Sequence, residues 1–159
     1  MVTRHNGPRP QRPRVLVIAH RIDRDGQGME RLHARLAEML STRYEVHVLV
    51  GAIDAKTAQF VTVHSVPLIE RPIPIRFVMF GILASLRLIS LAKKMDVVHS
   101  CGAIVLSKVD LVSVHLCQAA VVAANGGRRM PRTGSLLRRL NTGTLKTLAL
   151  WLEQFSFRP

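Results

Sequence analysis

At 159 residues, 48% of them hydrophobic and 21% charged, the chain has the size and composition of one folded domain, which excludes disordered and collagen-like polymers and argues against a two-domain enzyme. An aromatic share of 4% makes the core aliphatic, and two cysteines exclude a disulfide-rich framework. The net charge of +13 gathers at the ends, with four Arg and no acid in residues 1–14 and seven Lys/Arg against Glu153 in 127–159, so it lacks the basic, aromatic-studded body expected of a nucleic-acid-binding domain.

Residues 1–13, rich in Pro and Arg, read as a disordered basic leader, followed by a domain over 14–159. No secretion signal is visible, because the apolar run Val15 to Ala19 is too short for one, and two cysteines outside any metal spacing favour a reducing, cytoplasmic setting. "RVLVIA" (14–19) is a β-branched run suited to a strand buried on both faces. Met29, Leu32, His33, Leu36, Ala37 and Leu40 then fall on one helical stripe.

"EVHVLVG" (45–51) is a second strand with Gly51 at its exit, and "FVTVHSV" (60–66) a third. Three prolines in 67–76 predict an extended loop, and 77–95 reads as a helix apolar nearly all round. Arg76, Arg87, Lys93 and Lys94 bound or interrupt that helix too closely for a membrane span; it reads as a core helix, with docking on a bilayer surface as the alternative. "DVVHS" (96–100) and "DLVSVHL" (110–116) are two further strands, joined by a short helix or turn near Ala103 to Lys108. A loop over 125–134 leads into a helix over 135–155, expected to bend near Thr142 and Gly143. The alternation of strand and helix predicts an α/β fold: a Rossmann-like parallel sheet with helices on both faces.

The turn "DGQG" follows the first strand, where a dinucleotide fingerprint would lie. Gly26-Gln27-Gly28 lacks the third glycine, and the second strand has no acid at its tip, Asp54 being several residues late, so a dinucleotide site is not expected. Two readings of the glycines stay open: a tight turn, or a close backbone approach to an anion at a helix N-terminus.

Ligands of open α/β sheets bind beyond the carboxyl ends of the strands. His20, Gly26 to Gly28, His64, His99, Ser100, Cys101, His115 and Gln118 fall at or near those ends. At His115 a functional role is favoured, as hydrogen-bond donor to a hydroxyl or as proton carrier; at His64 and His99 a structural role is. Cys101 and Cys117 read as small buried residues, and no metal-ligand, Ser-His-Asp or paired-carboxylate pattern stands out.

"RVLVIAHRIDRDGQGMERLHARLAEML" with "YEVHVLVG", then "MDVVHSCGAIVLSKVDLVSVHL", then "LALWLEQFSFRP" resembles, in that order, the N-terminal domain of the family 4 glycosyltransferases, enzymes of two Rossmann-like lobes. The resemblance covers roughly residues 14 to 159 and implies a single lobe of that GT-B type of fold, the acceptor-side one. It further implies transfer of a sugar, with retention, from a nucleotide-sugar used as co-substrate, with no other cofactor, to a glycan or lipid acceptor. It sets the donor diphosphate at Gly26, Gln27 and Gly28 and the transferred sugar at His115, with His20, His99, Ser100 and Gln118 as candidate acceptor or sugar contacts.

Arg128, Arg129 and Arg132 read either as a solvated basic loop or as contacts to an anionic surface, such as the inner face of a membrane. The family's donor-binding lobe is expected after the Trp151 helix, so the chain is expected to be inactive alone, as a truncated product or one subunit of a split enzyme. A non-catalytic module that binds an anionic membrane or a partner protein is the alternative, and a nucleotide-binding protein of unrelated descent a third.

Overall fold

The computed structural model describes residues 12–69, 72–114, 117–124, 126–127 and 135–156. The leader call, 1–13, therefore lies almost wholly outside the described residues. So do His115 and the arginines at 128, 129 and 132. Five strands form one parallel sheet: β1 (Arg14–Ile22), β2 (Glu45–Ile53), β3 (Thr62–Ser65), β4 (Val97–Ser100) and β5 (Leu111–Val112), in the order β3-β2-β1-β4-β5. The helices are α1 (Met29–Ser41), the single turn α2 (Ala55–Ala58), α3 (Ile73–Leu91) continued by a 3-10 turn over Ala92–Lys94, α4 (Gln118–Ala124) and α5 (Leu136–Ser156).

The alternation of side chains along a strand divides the core in two. Val15, Val17 and Ala19 of β1 join Val46, Val48 and Val50 of β2 against Ala34 of α1. Leu16 and Ile18 join Leu49 on the other face, against Phe80, Ala84 and Leu88 of α3. The sheet is thus covered on both faces, as the β-branched runs predict, and α5 packs on α3 and α4. The two aspartates that precede late strands act as clamps. Asp96 Oδ2 accepts the N–H of Arg14 at 2.7 Å, and Asp110 Oδ2 accepts that of Val98 at 2.8 Å, so each fixes the start of the adjoining strand.

Several boundaries differ from expectation, each for a local reason. β1 runs on through His20 to Ile22, because Arg21 and Ile22 stay in register with Ala52 and Ile53. Gly51 is accordingly inside β2 rather than at its exit: a Cβ there would lie 2.9 Å from the carbonyl oxygen of His20, so the close approach of backbone requires glycine. The loop expected over 67–76 ends early. Pro72 caps α3, and Pro74 fits in the first turn, where a missing N–H leaves no intrahelical bond broken.

The buried stripe of α1 is His33, Ala34 and Ala37, while Met29 and Leu32 stay exposed. β5 is two residues long, the 103–108 segment holds no helix, and α4 was not expected. α5 runs unbroken through Thr142 and Gly143, whose carbonyl accepts the Thr147 hydroxyl at 3.0 Å.

Candidate functional site

The carboxyl ends of β1 and β4 open onto a cleft of about 480 Å³. His20 from β1, Met29 from α1, Arg76 and Phe77 from α3, Cys101 to Ile104 after β4, Ser113 after β5 and Glu153 from α5 all line it. Most of this lining is apolar, with a histidine, an arginine, a serine and a carboxylate as its polar points, the pattern of a pocket that orients a ligand by a few groups.

His20 illustrates how the fold makes the site. Extension of β1 past Ala19 carries the imidazole over α3, where it meets Phe80 and Phe77 with ring centroids 4.3 and 5.0 Å away. Both ring nitrogens are buried and have no hydrogen-bond partner among the described residues. Burial first, then the charges of Arg76 and His33, bring its pKa down to about 4. The ring is therefore neutral at pH 7, with one nitrogen able to donate and one to accept.

The floor of the cleft is the turn after β4. Cys101 N–H bonds the Ile18 carbonyl at 2.8 Å, Gly102 takes φ +107°, and Ser100 Oγ donates to the Gly102 carbonyl at 2.6 Å. Burial pushes the Cys101 thiol up to about 12, so it is an inert lining group, as expected of a small buried residue, whereas Cys117 is exposed. Opposite, the carboxylate of Glu153 is buried and accepts the N–H of Ala119 at 3.2 Å, bracing α5 against the first turn of α4.

The glycine turn flanks the cleft through Met29. Gly28 takes φ +44° at the N-cap of α1, and a Cβ on it would meet nothing within 4 Å, so its outer side is open. The Arg31 guanidinium donates to the Gly26 carbonyl at 3.1 and 3.3 Å and holds the turn closed. Nearby cations are engaged by acids, Lys56 with Asp25 at 3.1 Å and Arg24 with Glu38 at 2.9 Å. Attraction for an anion here comes from backbone N–H groups, the start of α1 and the Arg31 guanidinium, whose charge a carbonyl does not neutralise.

Of the other candidates, His99 and Ser100 are buried beneath the cleft. The Nε2 of His99 is 2.7 Å from Ser113 Oγ, and Ser113 is the member of that pair in the lining. His64 lies inside β3, with its Nε2 3.1 Å from Nδ1 of His47 on β2. Gln118 opens α4. Arg76, Ser113 and Glu153 were not singled out for the cleft by sequence. The signal for Arg76 was a lone cation at the head of an apolar helix, and for Glu153 a lone acid in a basic segment.

Sheet order, helical cover and a cleft at the carboxyl edge define a Rossmann-like lobe of the kind found in two-lobed glycosyltransferases. Among solved structures the chain is similar to WaaG, described as a glycosyltransferase involved in lipopolysaccharide biosynthesis, with a TM-score of 0.62 and 16% identity over 87% of this chain. The match takes in 35% of the WaaG chain, so this chain spans about a third of its length. At that identity the likeness establishes the fold and not the family. No protein-family model and no curated protein matches the sequence.

Proposed function

We propose that the chain is the acceptor-side lobe of a retaining glycosyltransferase of the family 4 kind, which transfers a sugar from a nucleotide-sugar to a glycan or lipid acceptor. The observation that carries this reading is the cleft at the carboxyl edge of a sheet that superposes on a glycosyltransferase lobe. In this reading the backbone of Gly26, Gln27 and Gly28 meets the donor diphosphate, His115 meets the transferred sugar, and neutral His20 hydrogen-bonds a hydroxyl of the acceptor or sugar. Phe77, Ile104 and Val114 give the acceptor an apolar wall.

A second lobe, carried by a longer chain or a separate subunit, supplies the charges that stabilise the leaving diphosphate, because positioning and charge stabilisation arise where both lobes close on the substrates. The reading takes the chain as cytoplasmic, since two cysteines outside any disulfide-rich or metal spacing favour a reducing compartment. Release of nucleoside diphosphate from a panel of uridine and guanosine diphosphate sugars, with simple glycans and glycolipids as acceptors, tests the division of labour. The 159-residue chain alone is expected to release none. Turnover by the chain alone overturns the half-site.

A further inference from the structure

A surface helix ordinarily turns its polar side to water. α3 turns an apolar side to it as well. Phe80, Ala84 and Leu88 cover the sheet, while Ile75, Val78, Ile82, Leu86 and Ile89, at i, i+3, i+7, i+11 and i+14, form an outward stripe whose members are 40 to 63% exposed. A continuous apolar stripe of this length marks an interaction surface, unlike single exposed side chains.

The charge around the stripe says what covers it. Residues 72–95 carry Arg76, Arg87, Lys93 and Lys94 and no acid. Arg87, Lys93 and Lys94 are exposed. Beside the stripe, Val66, Pro67, Leu83, Leu86, Arg87 and Ser90 line a groove of about 340 Å³, apolar with one guanidinium at its side. A second copy docked α3 to α3 would bring these cations against their own kind. A lobe closing the cleft would sit over the carboxyl edge of the sheet, whereas the stripe runs along the outer side of one helical layer.

We infer that the outward face of α3 docks on an anionic lipid bilayer, with Ile75, Val78, Ile82, Leu86 and Ile89 in the acyl boundary and Arg87, Lys93 and Lys94 among the headgroups. A helix that is apolar on one side and cationic at its flank lies in the plane of the interface, and its affinity combines buried apolar area with attraction to acidic lipid. By length and hydropathy Ile73–Lys94 also qualifies as a candidate span, with a mean hydropathy of 1.8, but one side of α3 covers the sheet, which leaves the other side for the bilayer. The docking rests on this face and not on the chemistry of the cleft, so vesicle binding without nucleotide binding leaves it standing.

The test is co-sedimentation of the 159-residue chain with phosphatidylcholine vesicles and with vesicles in which roughly 30% of the lipid is phosphatidylglycerol. Binding to the acidic vesicles is expected, weakened at least about tenfold by the exposed-face pair Ile82→Glu/Leu86→Glu. Lys93→Glu/Lys94→Glu is expected to weaken it as well. Ile82→Asn/Leu86→Gln serves as the milder pair, and circular dichroism melts report the fold of each. Binding that survives both stripe pairs in folded protein, equal binding to neutral and acidic vesicles, or self-association through α3 without vesicle binding overturns the inference.

Discussion

The carboxylate of Asp54 accepts the backbone N–H of Arg24 at 3.0 Å, joining the glycine turn after β1 to the end of β2. The same carboxylate caps α2, taking the N–H of Thr57 at 2.9 Å and its hydroxyl at 2.7 Å. Burial works to raise the Asp54 pKa, but the hydrogen bonds from Thr57, Arg24 and Lys56 outweigh it and hold the carboxyl below its ordinary value. Asp54→Ala removes a cap and a loop tether together and is expected to cost about 1–3 kcal/mol of stability. Urea midpoints check the energy, and faster amide exchange at Gly26 and Gly28 checks the tether; unchanged exchange would show that the turn holds its shape without Asp54.

Gly51 makes the extension of β1 and β2 possible. A methyl group there meets the carbonyl of His20 at 2.9 Å and the side chain of Leu68 at 2.9 and 3.0 Å, and a strand backbone cannot step aside as a flexible side chain can. Gly51→Ala is expected to destabilise the domain by about 1–3 kcal/mol, visible as a lowered melting temperature. Gly28→Ala meets no atoms but keeps a positive φ, so its expected cost is smaller, about 1 kcal/mol.

The pH dependence follows from His20. Its pKa is about 4 in the folded chain against 6.5 when free, so between these values the unfolded chain binds a proton that the folded chain does not. Its contribution is full above pH 6.5 and is lost as pH falls through this window, by about 3 kcal/mol at most. His20→Gln, which does not titrate, is expected to flatten the decline in urea midpoint between pH 7 and pH 4.5, whatever its effect at pH 7. An unchanged slope assigns the decline to other groups.

Cys101 and Cys117 differ in reactivity because one thiol is buried and held up to about 12 and the other is exposed. Iodoacetamide at pH 8 is expected to modify the native chain once, at Cys117, and twice only after denaturation. Mass spectrometry reads the count and the position. Native modification of Cys101 would mean that the turn after β4 opens in solution.

Much of this fold was legible because its core is written in β-branched runs. "RVLVIA" and "EVHVLVG" are short apolar runs rich in β-branched residues, and both form largely buried strands. What local pattern missed is what partners decide. Nothing in "HRI" foretells that β1 continues past Ala19; its partner β2 decides it, and with it the place of His20 over Phe80. Pro74 looked like a breaker because its tolerance depends on falling in the first turn of α3. The cleft was legible as a place, the carboxyl edge, but three of its polar members were not. Arg76, Ser113 and Glu153 come from segments far apart in sequence, and only the topology brings them to one cleft.

The central proposal is that the glycine turn at the rim of the cleft meets the diphosphate of a nucleotide-sugar. Amide chemical shifts of the 159-residue chain, followed during titration with uridine and guanosine diphosphate sugars, test it most directly. The account predicts weak binding with shifts gathered at Gly26, Gly28, Met29, Gly102 and Ala103, and smaller shifts in the same amides after Arg76→Ala. Shifts confined to the exposed basic residues, or none at these five positions with any sugar of the panel, would contradict it.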